Sequence, residues 1–140
     1  MTTQRKFNWT IWLPPLLWMA LIFVGSSIPG GPADDATRSA SGTSDPIHIQ
    51  RIKDAVHITE FGILMFLLGR SFKLTGVRTP LIVALAVTVV YGVSDEIHQY
   101  FVPQRYPDIG DVIRNVVGAV IAFVVFRWWQ AHQKSQTKTW

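Results

Sequence analysis

Cysteine is absent from this sequence and charge is scarce, with 16% of residues Asp, Glu, Lys or Arg. Without thiols there is no disulfide scaffold, no thiolate nucleophile, no CxxC redox pair and no Cys-ligated zinc. An average soluble domain carries roughly 25% charged residues. The shortfall is not that of a disordered chain, which would also lack aromatic side chains; here there are 6 Trp, 8 Phe and 3 Tyr. Internal repeats and low-complexity tracts are missing, as are HExxH, GxSxG, phosphate-cradling and dinucleotide-binding patterns. What is present, in a 140-residue chain long enough for one domain, is 49% hydrophobic residues gathered into runs.

Four of those runs read as membrane spans, making the chain an all-α polytopic membrane protein, a bundle of four transmembrane helices. Trp9 to Ser26 is eighteen residues without an ionisable side chain, long enough to cross at about 1.5 Å per residue. Pro14 and Pro15 lie inside it, which lipid tolerates better than water does. A signal peptide is the rival account of this run, but the apolar stretch exceeds the usual h-region and further spans follow. The expected spans are about 9–28, 54–72, 79–101 and 111–129, with a Gly/Ser/Pro-rich loop over 29–50 and a polar tail over 131–140. The second is short unless its polar turn, holding Asp54, His57 and Glu60, belongs to the helix.

The charges are distributed asymmetrically. With four spans, Arg5, Lys6, Arg70, Lys73, Arg78, Arg127, Lys134 and Lys138 fall on one side, and Arg38, Arg51, Lys53, Arg105 and Arg114 on the other. Excess cation marks the cytoplasmic side, so both termini are expected inside. All nine acids fall on the outer side or in the outer half of a span. Trp9, Trp12, Trp128 and Trp129 are placed to form an interfacial belt near the inner face. The net charge of +4 therefore reads as topology, and no nucleic-acid partner is expected.

Ionisable groups inside a bilayer face the bundle interior or a wet cavity. On the second span His57 and Glu60 share a face. On the third, Ser94 and His98 are an i, i+4 pair, Asp95 and Gln99 another, and Asp95 and His98 an i, i+3 pair, with Glu96 between them. A carboxylate beside an imidazole orients the ring and raises its basicity. On the fourth, Asp108, Asp111 and Asn115 point one way if the helix begins early enough, and Arg105 precedes them as a counter-ion. Each set also has a structural reading: His57 and Glu60 as headgroup-level polar groups, Asp111 as a helix cap or first-turn acid, Asn115 as an interhelical hydrogen bond, and Gly62 and Gly118 as close-packing positions. No metal ligand set and no cofactor are expected.

The run Ser94-Asp95-Glu96-Ile97-His98-Gln99-Tyr100-Phe101-Val102-Pro103-Gln104-Arg105, followed by Asp111, Asn115 and Gly118, resembles the VanZ-like family signature. Ser26-Ser27-Ile28-Pro29 and the HxxEFxxL stretch from His57 to Leu64 match its earlier elements. Two departures are Gln104, where the family usually has Gly, and Lys53-Asp54, where it has Asp-Lys. The resemblance implies a small multi-span protein of the plasma or inner membrane, in a family named for low-level teicoplanin resistance.

Two functions are compatible with these residues. One is a protein that binds or shields an envelope component or glycopeptide through an outward-facing polar site, with Arg105, Asp111, Asn115, Gln99 and Ser94 as binding groups. The other is a membrane-embedded enzyme acting on a lipid-linked or cell-surface substrate. There His98 is general acid or base, oriented by Asp95 or Asp111, and Glu96, His57 and Glu60 are further candidates. In the enzyme Arg105 is expected to bind a phosphate or carboxylate; in the binding protein the same groups form a structural polar network in which Arg105 pairs with Asp95 or Asp111. Membrane lipids and a lipid-linked envelope precursor or glycopeptide are the expected partners. A transporter ranks third, because no polar path continues through the inner half of the bundle.

Overall fold

A computed structural model describes residues 8–136, with side chains through 133. Arg5, Lys6 and Lys138, and the side chain of Lys134, lie outside the described residues. Five helices are seen among them: α1 (Trp9–Ser26), α2 (Gly30–Ser41), α3 (Pro46–Leu74), α4 (Pro80–Gln99) and α5 (Ile109–Gln136). The long helices α1, α3, α4 and α5 are each long and apolar enough to cross a membrane. Only 17–33% of their apolar windows is buried, so most of the apolar surface faces outward, as a lipid solvent requires.

The central helix is α3, which packs against all four others. Phe61, Leu64, Met65 and Leu68 on its core face meet Ile22 of α1, Leu81 and Ala84 of α4, and Ala119 and Phe126 of α5. The α3–α5 crossing is close because two glycines meet there. A Cβ on Gly118 would lie 2.1 Å from the Ile58 carbonyl oxygen, and one on Gly62 would lie 3.3 Å from that of Gly118. Both are close-packing positions, as their place in the sequence suggests.

Pro15 of α1 is accommodated through α3. Pro15 has no N–H to offer the Ile11 carbonyl one turn back, and that carbonyl accepts instead from Ser71 Oγ at 2.8 Å. This contact, with the edge-on Trp12–Phe72 pair, puts the start of α1 beside the end of α3. Leu81 and Phe126, against Gly69, bring the start of α4 and the end of α5 to the same end. The nine acids of the sequence collect at the other.

Three boundaries differ from expectation. The segment 29–50 is not a loop, since it holds α2 and the first turn of α3. At the start of α2 the Gly30 and Gly31 N–H groups donate to Pro103 O at 3.2 Å and Gln104 Oε1 at 3.1 Å. Those caps come from far along the chain, so local composition misses them. The second span begins at Pro46 rather than near 54, because Asp45 accepts from the Ile47 N–H as N-cap and Pro46 occupies the first turn. Helix α5 continues to Gln136, so residues 131–136 are not a frayed tail.

Candidate functional site

The polar end encloses an open cavity of about 740 Å³. One wall is α3, where Lys53, His57 and Glu60 recur at helical spacing, and α2 forms the roof through Gly30, Ala33, Asp34 and Thr37. The remaining walls come from the end of α1, from Gln99, and from the 104–111 segment that carries Arg105 and Asp111.

Behind this wall lies a buried network on α4. Asp95 is 4% exposed, Glu96 5% and Gln99 2%. Ser26 Oγ and Gln99 Nε2 both donate to Asp95 Oδ2 at 2.9 Å. Gln99 Nε2 also reaches Glu96 Oε1 at 3.5 Å, and the Asp108 N–H donates to Glu96 Oε2 at 3.2 Å. Arg105 Nη1 donates to Gln99 Oε1 at 3.0 Å, so Gln99 stands between the guanidinium and Asp95. The rest of the fork holds the backbone of α1, with Nε on Ile28 O at 3.2 Å and Nη2 on Gly25 O at 3.4 Å. Arg105 is therefore not the direct counter-ion of Asp95 or Asp111.

Arg114 holds Asp111 instead. Its Nη1 lies 2.6 Å from Asp111 Oδ1 and 3.6 Å from Asp108 Oδ2, and its Nε lies 2.7 Å from Asp54 Oδ1. Asp108 accepts from the Gly110 N–H at 2.8 Å just ahead of α5, and Asp111 is the acid of the first turn. In the sequence Arg114 stands out only as one of the outer-side cations, with no acid assigned to it. Its spacing of three from Asp111 was the available signal.

His57 joins α3 to α5. Its Nδ1 lies 3.0 Å from Asn115 Oδ1, and its Nε2 3.8 Å from Asp111 Oδ2. An amide oxygen only accepts, so Nδ1 carries the proton toward Asn115 and Nε2 is left facing the acid. Asn115 is 2% exposed and makes the interhelical hydrogen bond anticipated for it. It reaches α4 because Gly92 has no side chain; a Cβ there would lie 3.2 Å from Asn115 Cβ.

Two proposed residues point elsewhere. His98 stacks on Phe23 with centroids 4.4 Å apart, and its Nε2 lies 3.0 Å from Ser27 Oγ. Ser27 gives its one proton to Phe23 O at 2.7 Å, so His98 Nε2 must be the donor. The ring is held by α1 and not by Asp95 or Asp111, and it does not line the cavity. Ser94 is exposed, donates to Tyr91 O at 2.7 Å and borders a shallow apolar groove with Met19 and Val90. The i, i+3 and i, i+4 offsets on α4 are real, but they place Asp95 and Gln99 inward, and His98 and Ser94 on faces that miss the cavity. Among the described residues no group of three His, Cys, Asp or Glu side chains is placed to hold a metal ion.

Residues missed in the sequence are the partners supplied by other helices: Ser26 for Asp95, Ser27 for His98 and Lys53, which ion-pairs with Asp34 to tie α2 to α3. Gln104 occupies the left-handed region with φ 60°, the conformation for which glycine is suited. Its side chain offsets the departure by accepting from Gly31.

The VanZ/LLP1 family model matches residues 11–130, and the chain belongs to the VanZ-like family. The match runs from α1 into α5 and so includes every wall of the cavity. No curated protein and no solved structure matches the chain.

Proposed function

We propose that this VanZ-like membrane protein binds, and thereby shields, a cell-envelope component or glycopeptide in the cavity beneath α2. The carrying observation is the open cavity of about 740 Å³ at the polar end, walled by His57, Glu60, Arg105 and Asp111. That volume is within the range of small-ligand sites. Cation asymmetry supports both termini being cytoplasmic. The cavity then opens on the outer side of the plasma or inner membrane, where an envelope precursor or a glycopeptide such as teicoplanin is found. Gln99 and Arg105 stiffen the wall, and Asn115 fixes the His57 ring.

An enzymatic reading draws on a different residue from the one the sequence favoured. His98 is engaged with α1, whereas His57 lines the cavity with Nε2 turned toward Asp111. If the protein is catalytic, His57 is the better-placed acid or base, with Asn115 orienting its ring and Asp111 the nearest carboxylate to Nε2.

Ala33 lines the roof, and Ala33→Trp would fill the space beneath it. Protein in nanodiscs, offered an envelope lipid extract and teicoplanin, is read by native mass spectrometry. Wild type is expected to retain an unmodified ligand and Ala33→Trp to lose it. A mass-shifted product that depends on His57 would favour the enzyme instead, and equal retention by both proteins would place binding outside the cavity.

A further inference from the structure

The cavity wall is electrically unbalanced. Its carboxylates are Asp34, Glu60, Asp108 and Asp111, and its fixed cations are Lys53 and Arg105. Lys53 is engaged by Asp34. Arg114, behind the wall, serves Asp111 and Asp108. Arg105 is tied to Gln99 and to two α1 carbonyls. The group expected to attract an anion is thus part of the framework, in a wall with an excess of acid. A phosphate entering it would meet more like charge than opposite charge.

Glu60 is the exception among these acids. Among the described residues no side chain donates a hydrogen bond to its carboxylate, and the groups whose charge reaches it are His57 and Arg105, in its favour, and Asp95, against it. It projects from a membrane-spanning helix, one turn beyond His57, where a carboxylate without a hydrogen-bond donor is costly. Around the rim stand uncharged hydrogen-bonding groups, Thr37, Gln50, Gln104 and Tyr106, suited to hydroxyls and amides. A cation arriving with a polar, neutral body would satisfy both features.

We infer that the cavity takes an amine-bearing ligand, with its ammonium group on Glu60 and its hydroxyl or amide groups against the rim. This rests on the cavity being the binding site and adds the sign of the ligand's charge. The ammonium can come from an aminophospholipid headgroup of the bilayer, with its phosphate left outside the acidic wall, or from a soluble amino sugar.

The test compares each amine with its N-acetylated form, which keeps the shape and loses the charge. Protein in phosphatidylglycerol nanodiscs is offered phosphatidylethanolamine against N-acetyl-phosphatidylethanolamine, and separately glucosamine against N-acetylglucosamine. Binding is read by native mass spectrometry for the lipids and by calorimetry for the sugars. In at least one arm the free amine is expected to bind tenfold or more tightly, and the arm identifies the source. Glu60→Gln should abolish the preference, Glu60→Asp should retain it, and Asp35→Asn, on an acid outside the cavity, should leave it intact. Absence of any preference in both arms, or a preference that survives Glu60→Gln, would overturn the inference. A neutral or anionic ligand displaced by Ala33→Trp would also overturn it while leaving the binding cavity standing.

Discussion

Gly118 decides how closely α5 approaches α3, since any Cβ would fall against the Ile58 carbonyl, which cannot rotate away. Gly118→Ala should therefore lower stability in detergent by about 1–3 kcal/mol, the usual range for overpacking, read as a fall in the thermal unfolding midpoint. Gln104 sets a different contest, between left-handed strain and its bond to Gly31. Gln104→Gly relieves the strain and loses the bond; Gln104→Ala loses the bond and keeps the strain. The alanine variant should be the less stable of the two by about 1 kcal/mol, and the reverse order would show that the turn is unstrained. The ion pairs give a sharper test. A double-mutant cycle between Arg114 and Asp111 should show coupling of about 0.5–3 kcal/mol, whereas Arg105 and Asp111 should be nearly additive. Each of these residues was visible as a chemical type in the sequence. Which cation serves which acid was not, because Arg105 and Arg114 both lie within a few residues of Asp108 and Asp111 and only the turn of the chain separates them.

At the scale of elements, hydropathy revealed the four spanning helices but not their polar extensions or α2. Apolar runs report where lipid is, while α2 and the first turns of α3 are held by caps and ion pairs. Asp45 is the clearest case. Its hydrogen bond with His48, then that from the Ile47 N–H, holds the carboxyl below the ordinary aspartate range. A group depressed in the folded state contributes stability that is complete above its unfolded pKa and fades as pH falls through the folded value. The start of α3 should therefore loosen on acidification below the ordinary aspartate range, seen as faster amide exchange over residues 47–50. Asp45→Asn keeps a capping oxygen without the titration and should flatten that dependence. An unchanged pH profile in this variant would remove Asp45 from the account.

For the whole molecule, the sequence showed a membrane bundle with its acids at one end, and the structure turns that end into a cavity. What sequence could not supply is which face of α4 looks inward. The offsets that pair His98 with Ser94 and Asp95 are satisfied on any helix, and only packing against α1 turns His98 away from the cavity and Asp95 into the wall. The central claim is that this cavity is a binding site open to the outer side of the membrane. Because the chain has no cysteine, single cysteines can be labelled without background. Thr37→Cys and Gln50→Cys, both on the cavity, should react with a membrane-impermeant maleimide in intact cells, and Thr75→Cys, at the end of α3, only after lysis. Labelling of Thr75→Cys but not of Thr37→Cys or Gln50→Cys in intact cells would contradict the account, placing the cavity on the cytoplasmic side.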